Sequence, residues 1–180
     1  MPELITESGI AQLIAQVAEA ADAIMAGDID RYLALIHHAE DYTLLNPAGG
    51  PARHGFDDSA ESRSAMARMF QSGSAELELI KTYVSGNLAV LVTIEHQRGV
   101  VGDLPEQDWS LRVTWVFRRI ESGWELAHRH ADPLVHPITP EQLSILARGS
   151  EVAERPLSEG WLAELSTPAV TGRWHSPPPG

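Results

Sequence analysis

The chain has 180 residues, 43% of them hydrophobic, a size that suits one globular domain with an appendage. Its 13 basic and 25 acidic residues give a net charge of −12, which argues against nucleic acid and anionic membranes as partners. There is no cysteine, hence no disulfide or thiol chemistry. No apolar run is long enough to span a membrane and the start lacks a secretory signal, so we expect a cytoplasmic protein.

Two helices are predicted at the start. Apolar residues at helical spacing indicate a long amphipathic helix from about Thr6 to Ala26, which Gly27 ends. Asp28 then caps a second helix. The second helix carries its larger apolar residues on one side: Tyr32, Leu33 and Ile36.

A short strand and a third helix follow. The run "DYTLLNPAGG" is β-prone and breaks at Asn46 and Pro47. The segment from Asp58 to Glu61 is typical of a capping box, which predicts a third helix. We expect its large apolar residues to belong to the core: Met66, Met69 and Phe70.

From Ala75 the hydrophobic pattern changes to that of strands. Four β-rich segments are separated by short turn sequences: "AELELIKTYV", "NLAVLVTIEHQRGV", "DWSLRVTWVFRRI" and "WELAHRHA". Such turns join hairpins, so the sheet is predicted to be antiparallel. Helices followed by a meander of strands indicate an α+β fold, with the helices packed on one face of the sheet.

The C-terminal part has a different character. Residues 139–142, "TPEQ", combine a cap, a first-turn proline and a capping-box glutamine, predicting a short helix to about Arg148. The run "RPLSEGWLAEL" can add one or two turns, and "STPAVTGRWHSPPPG" is predicted to lack fixed structure. We therefore divide the chain into an N-terminal segment (1–8), one domain (9–136) and an extension (137–180).

The last strand contains two histidines. If alternate residues share a face, one row faces the helices: Trp124, Leu126, His128 and His130. Arg129 would then face outward. A tight turn at "ESG" would place Trp115 close to His128 and Val113 close to His130. The two histidines are thus predicted to point into the fold.

Three interpretations of these histidines stay open. His96 extends an apolar row on another strand, Val90, Val92 and Ile94, and is expected to point inward too. It could join His128 and His130 in a metal site, but there is no HExxH and we expect no metal. The histidines could be satisfied polar residues at the edge of the core. The sequence favours a third interpretation, in which they line the polar end of an apolar pocket.

The order of several motifs resembles a known family. "AGDIDRYLALI", "YTLLNPAGG" and "VTWVFRRIESGWELAHRHADPL" together resemble the SnoaL-like branch of the nuclear transport factor 2-like superfamily, over residues 9–136. The resemblance implies a curved antiparallel sheet wrapped on three helices to form a cone, whose open end is a ligand pocket. It also implies a homodimer that associates through the sheet. The superfamily includes isomerases, dehydratases, cyclases and kinase association domains, so fold alone does not decide function.

The resemblance argues against steroid isomerase chemistry. The catalytic aspartate of those enzymes precedes the proline of the "x-P-x-G" turn, where this chain has Asn46, which cannot abstract a proton. Their oxyanion tyrosine matches a position near Ala20. Their second oxyanion acid matches a strand that offers Val113 and Trp115. All three chemical groups are missing.

The resemblance and the strand pattern together give a candidate site. We expect a small apolar or ring-bearing ligand and no cofactor, with His128 and His130 as catalytic candidates and Tyr42, Asn46, Trp109 and Trp115 as ligand-binding candidates. Two functions stay open. One is acid–base chemistry of the lyase, isomerase or cyclase type that uses a pocket histidine. The other is a non-catalytic module for ligand binding or assembly, with contacts through the convex sheet face: Arg112, Thr114 and Arg129.

Overall fold

The computed structural model of the protein describes residues 6–148 of the chain. It divides the chain into two compact units, Met1–His136 and Pro137–Gly180. The turns predicted at 155–165 and the tail at 166–180 lie outside the described residues, as does the first part of the N-terminal segment.

The first two helices confirm the sequence predictions. Helix α1 spans Glu7–Met25, and the Thr6 side chain caps it by accepting a hydrogen bond from the Gly9 N–H at 3.1 Å. Helix α2 spans Ile29–Leu35 and is capped by the carboxylate of Asp28. These signals succeed because a cap depends only on neighbouring residues. Within residues 6–148, no helix is long and apolar enough to cross a membrane.

Helix α3 spans Ala60–Met69 but differs from its prediction in two ways. Its cap is the hydroxyl of Ser59, whereas the Asp58 carboxylate accepts a hydrogen bond from Arg63 at 2.7 Å. The three residues that were expected in the core, Met66, Met69 and Phe70, are only half-buried. No residue of α3 is buried. The placement of this helix in the core was therefore wrong.

The structure describes the second unit only as far as Arg148. Helix α4 spans Pro140–Arg148, close to the predicted bounds. Thr139 and Gln142 form a reciprocal capping box, in which the Thr139 N–H donates to the Gln142 side chain and the Gln142 N–H donates to the Thr139 hydroxyl.

Seven strands form one sheet within the described part of the chain. Their bounds are β1 His38–Leu45, β2 Arg53–His54, β3 Phe70–Ser85, β4 Leu88–Val101, β5 Gln107–Asp108, β6 Leu111–Ile120 and β7 Gly123–Pro133. The strand order is β2-β1-β7-β6-β4-β3, and β5 pairs with β4. The strands from β3 to β7 pair antiparallel as predicted, but β1 pairs parallel to β7. The fold class α+β is confirmed, with a mixed sheet.

One face of the sheet, called the inner face below, forms the core with α1 and α2. Its buried hydrophobic residues on β4 and β6 are Ala89, Leu91, Val113, Trp115 and Phe117. Leu13 and Val17 of α1 and Tyr32 of α2 belong to the same core cluster. The opposite face is called the outer face.

Two glycines allow the end of α1 to approach β3 and β4 closely. A Cβ atom added at Gly73 would lie 2.7 Å from the Met25 carbonyl oxygen and 2.8 Å from that of Arg98. One added at Gly99 would lie 2.6 Å from the Gly73 Cα atom. Real Cβ atoms do not come this close to backbone atoms, so any side chain forces the backbone apart.

We expect Gly73→Ala to lower the free energy of unfolding by about 1–3 kcal/mol, the usual cost of overpacking. Ser74→Ala, at the exposed neighbouring position, is the control and should change stability little. Urea unfolding followed by circular dichroism measures both. Equal stability of the two variants would contradict the close approach.

Candidate functional site

A β-bulge between β6 and β7 decides which residues of the histidine strand face the interior. Phe117 pairs with Leu126, but Val116, the residue before Phe117 on β6, pairs with His128. Ala127 is therefore an extra residue on β7. A shift of one residue reverses the faces of every side chain that follows it.

The predicted inward orientation of the two histidines is wrong as a result. His128 lies opposite Val116 and His130 opposite Thr114, both on the outer face. Arg129, predicted to face outward, lies opposite Trp115 on the inner face. The catalytic assignment of His128 and His130 stays a prediction, but a shared inward face no longer supports it.

On the outer face the two histidines contact polar neighbours. The His128 Nδ1 atom lies 2.7 Å from the Thr43 hydroxyl oxygen, and the His130 Nε2 atom lies 3.5 Å from the Asp132 carboxylate. Partial burial, and then the neighbouring His130, lower the pKa of His128. The His130 side chain is 44% exposed, so it is a surface residue.

The assignment of faces on β4 was also wrong. The row predicted to face inward is half-buried or exposed and lies on the outer face: Val90, Val92, Ile94 and His96. His96 is 48% exposed and hydrogen-bonded to the Glu78 carboxylate at 2.8 Å. Among residues 6–148 no group of three or more histidine or acidic side chains could hold a metal ion. The three histidines of the metal interpretation are therefore not brought together.

The inner row of β4 carries a buried charge. The Glu95 carboxylate, 1% exposed, accepts hydrogen bonds from the Arg129 Nη2 atom at 3.0 and 3.2 Å. Gln97 donates to the same carboxylate at 2.5 Å. The Arg129 guanidinium also lies over the Trp115 ring, 4.7 Å from its centroid. Thus Glu95, Arg129, Gln97 and Trp115 form one contiguous group on the inner face, called the polar centre below.

The charge of Glu95 keeps Arg129 protonated, and burial keeps two tyrosines of the interior, Tyr42 and Tyr32, neutral. Although burial acts to lower it, the pKa of Arg129 is raised, first by the negative charge of Glu95. Burial raises the pKa of Tyr42 to about 12 and also raises the pKa of Tyr32. Both phenols are therefore hydroxyl groups at neutral pH, able to donate a hydrogen bond.

Some hydrogen-bond donors near the polar centre have no partner. Among the described residues, the Tyr42 hydroxyl makes no hydrogen bond, and Arg129 uses only its Nη2 atom. In this part of the chain, one polar side-chain atom is closed off from solvent and has no hydrogen-bond partner: the Thr82 hydroxyl oxygen. The Tyr42 hydroxyl and the other Arg129 N–H groups are not closed off in that way, so an acceptor atom can reach them.

A third histidine, His38, lies in the interior beside Tyr42. Its ring stacks on Phe56 with centroids 3.8 Å apart, and the Tyr42 ring meets its edge at 4.7 Å. The His38 Nε2 atom lies 3.1 Å from the Tyr32 hydroxyl oxygen. Burial lowers the pKa of His38 to about 4, so its imidazole is neutral at physiological pH.

The structure places two of the predicted ligand-binding residues in the core cluster of the inner face. Tyr42 and Trp115 are buried on the inner face, 4% and 2% exposed. Asn46 and Trp109 are half-buried in connecting segments. Their polar atoms are engaged by backbone, since Asn46 accepts a hydrogen bond from the Ala48 N–H and the Trp109 indole donates to the Gly99 carbonyl.

Sequence reasoning did not assign four polar residues of the interior to the site: Glu95, Arg129, His38 and Tyr32. Tyr32 was placed on the apolar side of α2, although not in a site. The signal for a buried pair is a glutamate within the apolar strand β4 and an arginine on β7, two strands away in the sheet. That signal was overruled by strict alternation, which the bulge breaks.

Comparison with known protein families identifies the family of this chain. Residues 10–135 match the family model described as a SnoaL-like domain. The chain therefore belongs to the SnoaL-like family. No curated protein sequence matches the chain.

Several solved structures share this fold. A candidate dehydratase of the nuclear transport factor 2-like family from Streptomyces avermitilis is 19% identical, with a TM-score of 0.58, over 72% of this chain and 99% of that one. A superfamily protein from Salmonella enterica is 20% identical, with a TM-score of 0.59, over 74% and 96%. A candidate association domain of a calmodulin-dependent kinase from Xanthomonas campestris is 15% identical, with a TM-score of 0.51, over 71% and 89%. At these identities the likeness shows the fold alone.

Removing one partner of the buried ion pair should destabilise the fold strongly. Arg129→Met leaves the Glu95 carboxylate buried without its countercharge, a change that costs about 3–5 kcal/mol in comparable pairs. The double variant Arg129→Met/Glu95→Gln removes both charges and should recover part of that loss. Urea unfolding of the two variants and the parent protein measures the difference.

The control for this experiment is an exposed pair. Glu106 pairs with Arg98, both more than half exposed, and Glu106→Gln should change stability little because solvent screens the charges. If Arg129→Met were as stable as Glu106→Gln, the ion pair would not be buried in solution.

Proposed function

We propose that this SnoaL-like domain binds a small, largely apolar, ring-bearing molecule against the inner face of its sheet. The proposal is carried by donors that have no hydrogen-bond partner among the described residues and are not closed off from solvent, namely the Tyr42 hydroxyl and the Arg129 N–H groups other than those of Nη2. They lie in an interior walled by aromatic rings. A ligand oxygen that accepts from both groups would replace water as their partner.

The charges of the polar centre favour a neutral ligand. The positive charge of Arg129 is already balanced by Glu95 at 3.0 Å, so an anionic ligand would compete with a fixed carboxylate. A carbonyl oxygen accepts hydrogen bonds without bringing a net charge into the interior. The ring of Phe56, half-buried beside Tyr42, suits a flat apolar body. We therefore propose a ring compound that bears a carbonyl group.

Acid–base chemistry of the lyase, isomerase or cyclase type is the reaction class that suits such a ligand. The residues at hand are hydroxyl, imidazole and guanidinium groups, which move protons or stabilise an oxyanion. The name of the Streptomyces structure, a candidate dehydratase, supports this class by fold alone.

Ligand binding is tested with matched probes. 2-Tetralone has two rings and a carbonyl group, whereas naphthalene has similar rings and no acceptor. We expect 2-tetralone to bind more tightly, by isothermal titration calorimetry, because only it can pair with the free donors. Tyr42→Phe should weaken 2-tetralone binding by about 2- to 10-fold, the value of one neutral hydrogen bond, and leave naphthalene unaffected.

Tyr83→Phe is the matched control, since Tyr83 is 58% exposed on β3 and should not affect either probe. The Tyr42→Phe variant should keep its melting temperature, because the hydroxyl makes no hydrogen bond within the described residues. Equal affinity of both probes for the parent protein would refute an acceptor site at Tyr42.

The outer face supports a second proposed function, self-association through the sheet. Its central residues are apolar and half-buried although they face away from the core: Val90, Val92, Ile94 and Val116. Tyr83, which pairs with Val90, extends this apolar area to the edge strand. Arg129 does not contribute, because it faces inward. Apolar area of this kind on a sheet face is typical of an interface.

We expect the protein to be a dimer at micromolar concentration by sedimentation velocity. Val92→Glu should weaken the dimer by at least about 10-fold, because it places a charge at the centre of an apolar contact. Leu104→Glu, at a 53% exposed position between β4 and β5, is the control. A monomeric parent protein would exclude this second function.

A further inference from the structure

We propose that His38 is the acid–base residue of the ligand site, and that it removes a proton from the carbon next to the carbonyl group of the bound ligand. This inference rests on the proposed function. It names His38 in place of His128 and His130, which lie on the outer face.

The position of the His38 ring supports this role. Phe56 stacks on one face with an interplanar angle of 10°, and the Tyr42 ring packs edge-on at 4.7 Å, so the ring plane is held from two sides. Its Nε2 atom is paired with the Tyr32 hydroxyl at 3.1 Å. The Nδ1 atom has no hydrogen-bond partner among the described residues. One nitrogen is therefore positioned by Tyr32, and the other is available to a ligand.

The surroundings of His38 keep it unprotonated. Burial is the main reason that the pKa of His38 is lowered to about 4. The charge of Asp58 acts in the opposite direction, and His37 adds to the lowering. The other titratable groups in contact with the ring, Tyr32 and Tyr42, are neutral hydroxyls. A neutral imidazole beside a ligand is a base whose lone pair is already free at physiological pH.

Tyr42 connects this base to the oxygen-binding donors. Its ring packs edge-on against the His38 ring, with centroids 4.7 Å apart. In the proposed complex the carbonyl oxygen accepts hydrogen bonds from Tyr42 and Arg129, and its neighbouring carbon lies beside the His38 Nδ1 atom. Donors aimed at a developing negative charge are the usual partners of a base in enolisation.

The proposed step is balanced without any co-reactant. The C–H bond next to the carbonyl breaks and its proton moves to the His38 Nδ1 atom. The electron pair of that bond forms a carbon–carbon double bond, and the carbonyl oxygen takes the negative charge, stabilised by Tyr42 and Arg129. The proton then returns to the same carbon, which gives exchange, or to another carbon, which gives an isomer.

Deuterium exchange into 2-tetralone tests the step directly. In D₂O the parent protein should speed the loss of the proton signals next to the carbonyl, followed by NMR. His38→Gln should lower the catalysed rate by about 10²- to 10⁴-fold, the usual contribution of a positioned base. Its affinity for 2-tetralone should change little, because glutamine keeps a polar group beside Tyr32.

Two further variants complete the comparison. His54→Gln, at an exposed position on β2, is the control and should exchange at the parental rate. Tyr32→Phe tests the positioning residue and should lower the rate while the affinity is kept. The catalysed rate should be level from pH 5.5 to 8, because His38 is already unprotonated there. A rate that rises through about pH 6.5 would indicate an ordinary exposed histidine instead.

The failure of this inference is distinct from that of the proposed function. If 2-tetralone binds but does not exchange, or if His38→Gln exchanges at the parental rate, His38 is not the base and ligand binding stands. Loss of exchange in His128→Gln or His130→Gln alone would return the role to the outer face. If 2-tetralone does not bind at all, both proposals are overturned together.

Discussion

The ion pair between Glu95 and Arg129 is the interaction on which the interior of this fold depends. A carboxylate that is 1% exposed must have a countercharge, and Arg129 supplies it at 3.0 Å. Under strict alternation Arg129 would point to the outer face and leave Glu95 unpaired. The extra residue Ala127 turns Arg129 inward. The bulge and the ion pair therefore require each other, which is consistent with bulges that re-aim a functional side chain.

The ion pair of Glu95 and Arg129 carries no net charge, and this affects the chemistry of the neighbouring groups. Because Glu95 balances Arg129, the interior has strong local dipoles without net charge, and burial keeps the hydroxyl of Tyr42 and the imidazole of His38 in their neutral forms. Arg129 is fixed between Glu95 and the Trp115 ring, so its remaining N–H groups are pre-organised. Donors that do not reorganise on binding contribute more to a transition state than mobile ones.

The limits of sequence reasoning are clear from particular residues. The caps at Asp28 and Thr139 were predicted because they depend on contacts within three residues. The faces of β4 and β7 were not. On β4, apolar residues occupy both faces, so composition could not choose between them. On β7, one bulge reversed the parity after Leu126. Tyr42 and Trp115 were found through the family resemblance and their aromatic character, whereas Glu95 and Arg129 are paired only by tertiary structure.

The two proposed functions of the domain, ligand binding and self-association, lie on opposite faces of the sheet, and the same one-residue shift decides which residues of β7 belong to each face. It places Arg129 inside, beside Trp115, and it places His128 and His130 outside, opposite Val116 and Thr114. Two histidines on a half-buried apolar face have little value as a base for a ligand in the interior. Partial burial on this face, and then the neighbouring His130, lower the pKa of His128, which favours its neutral imidazole. A histidine-x-histidine strand therefore indicates a pocket only when its register is known.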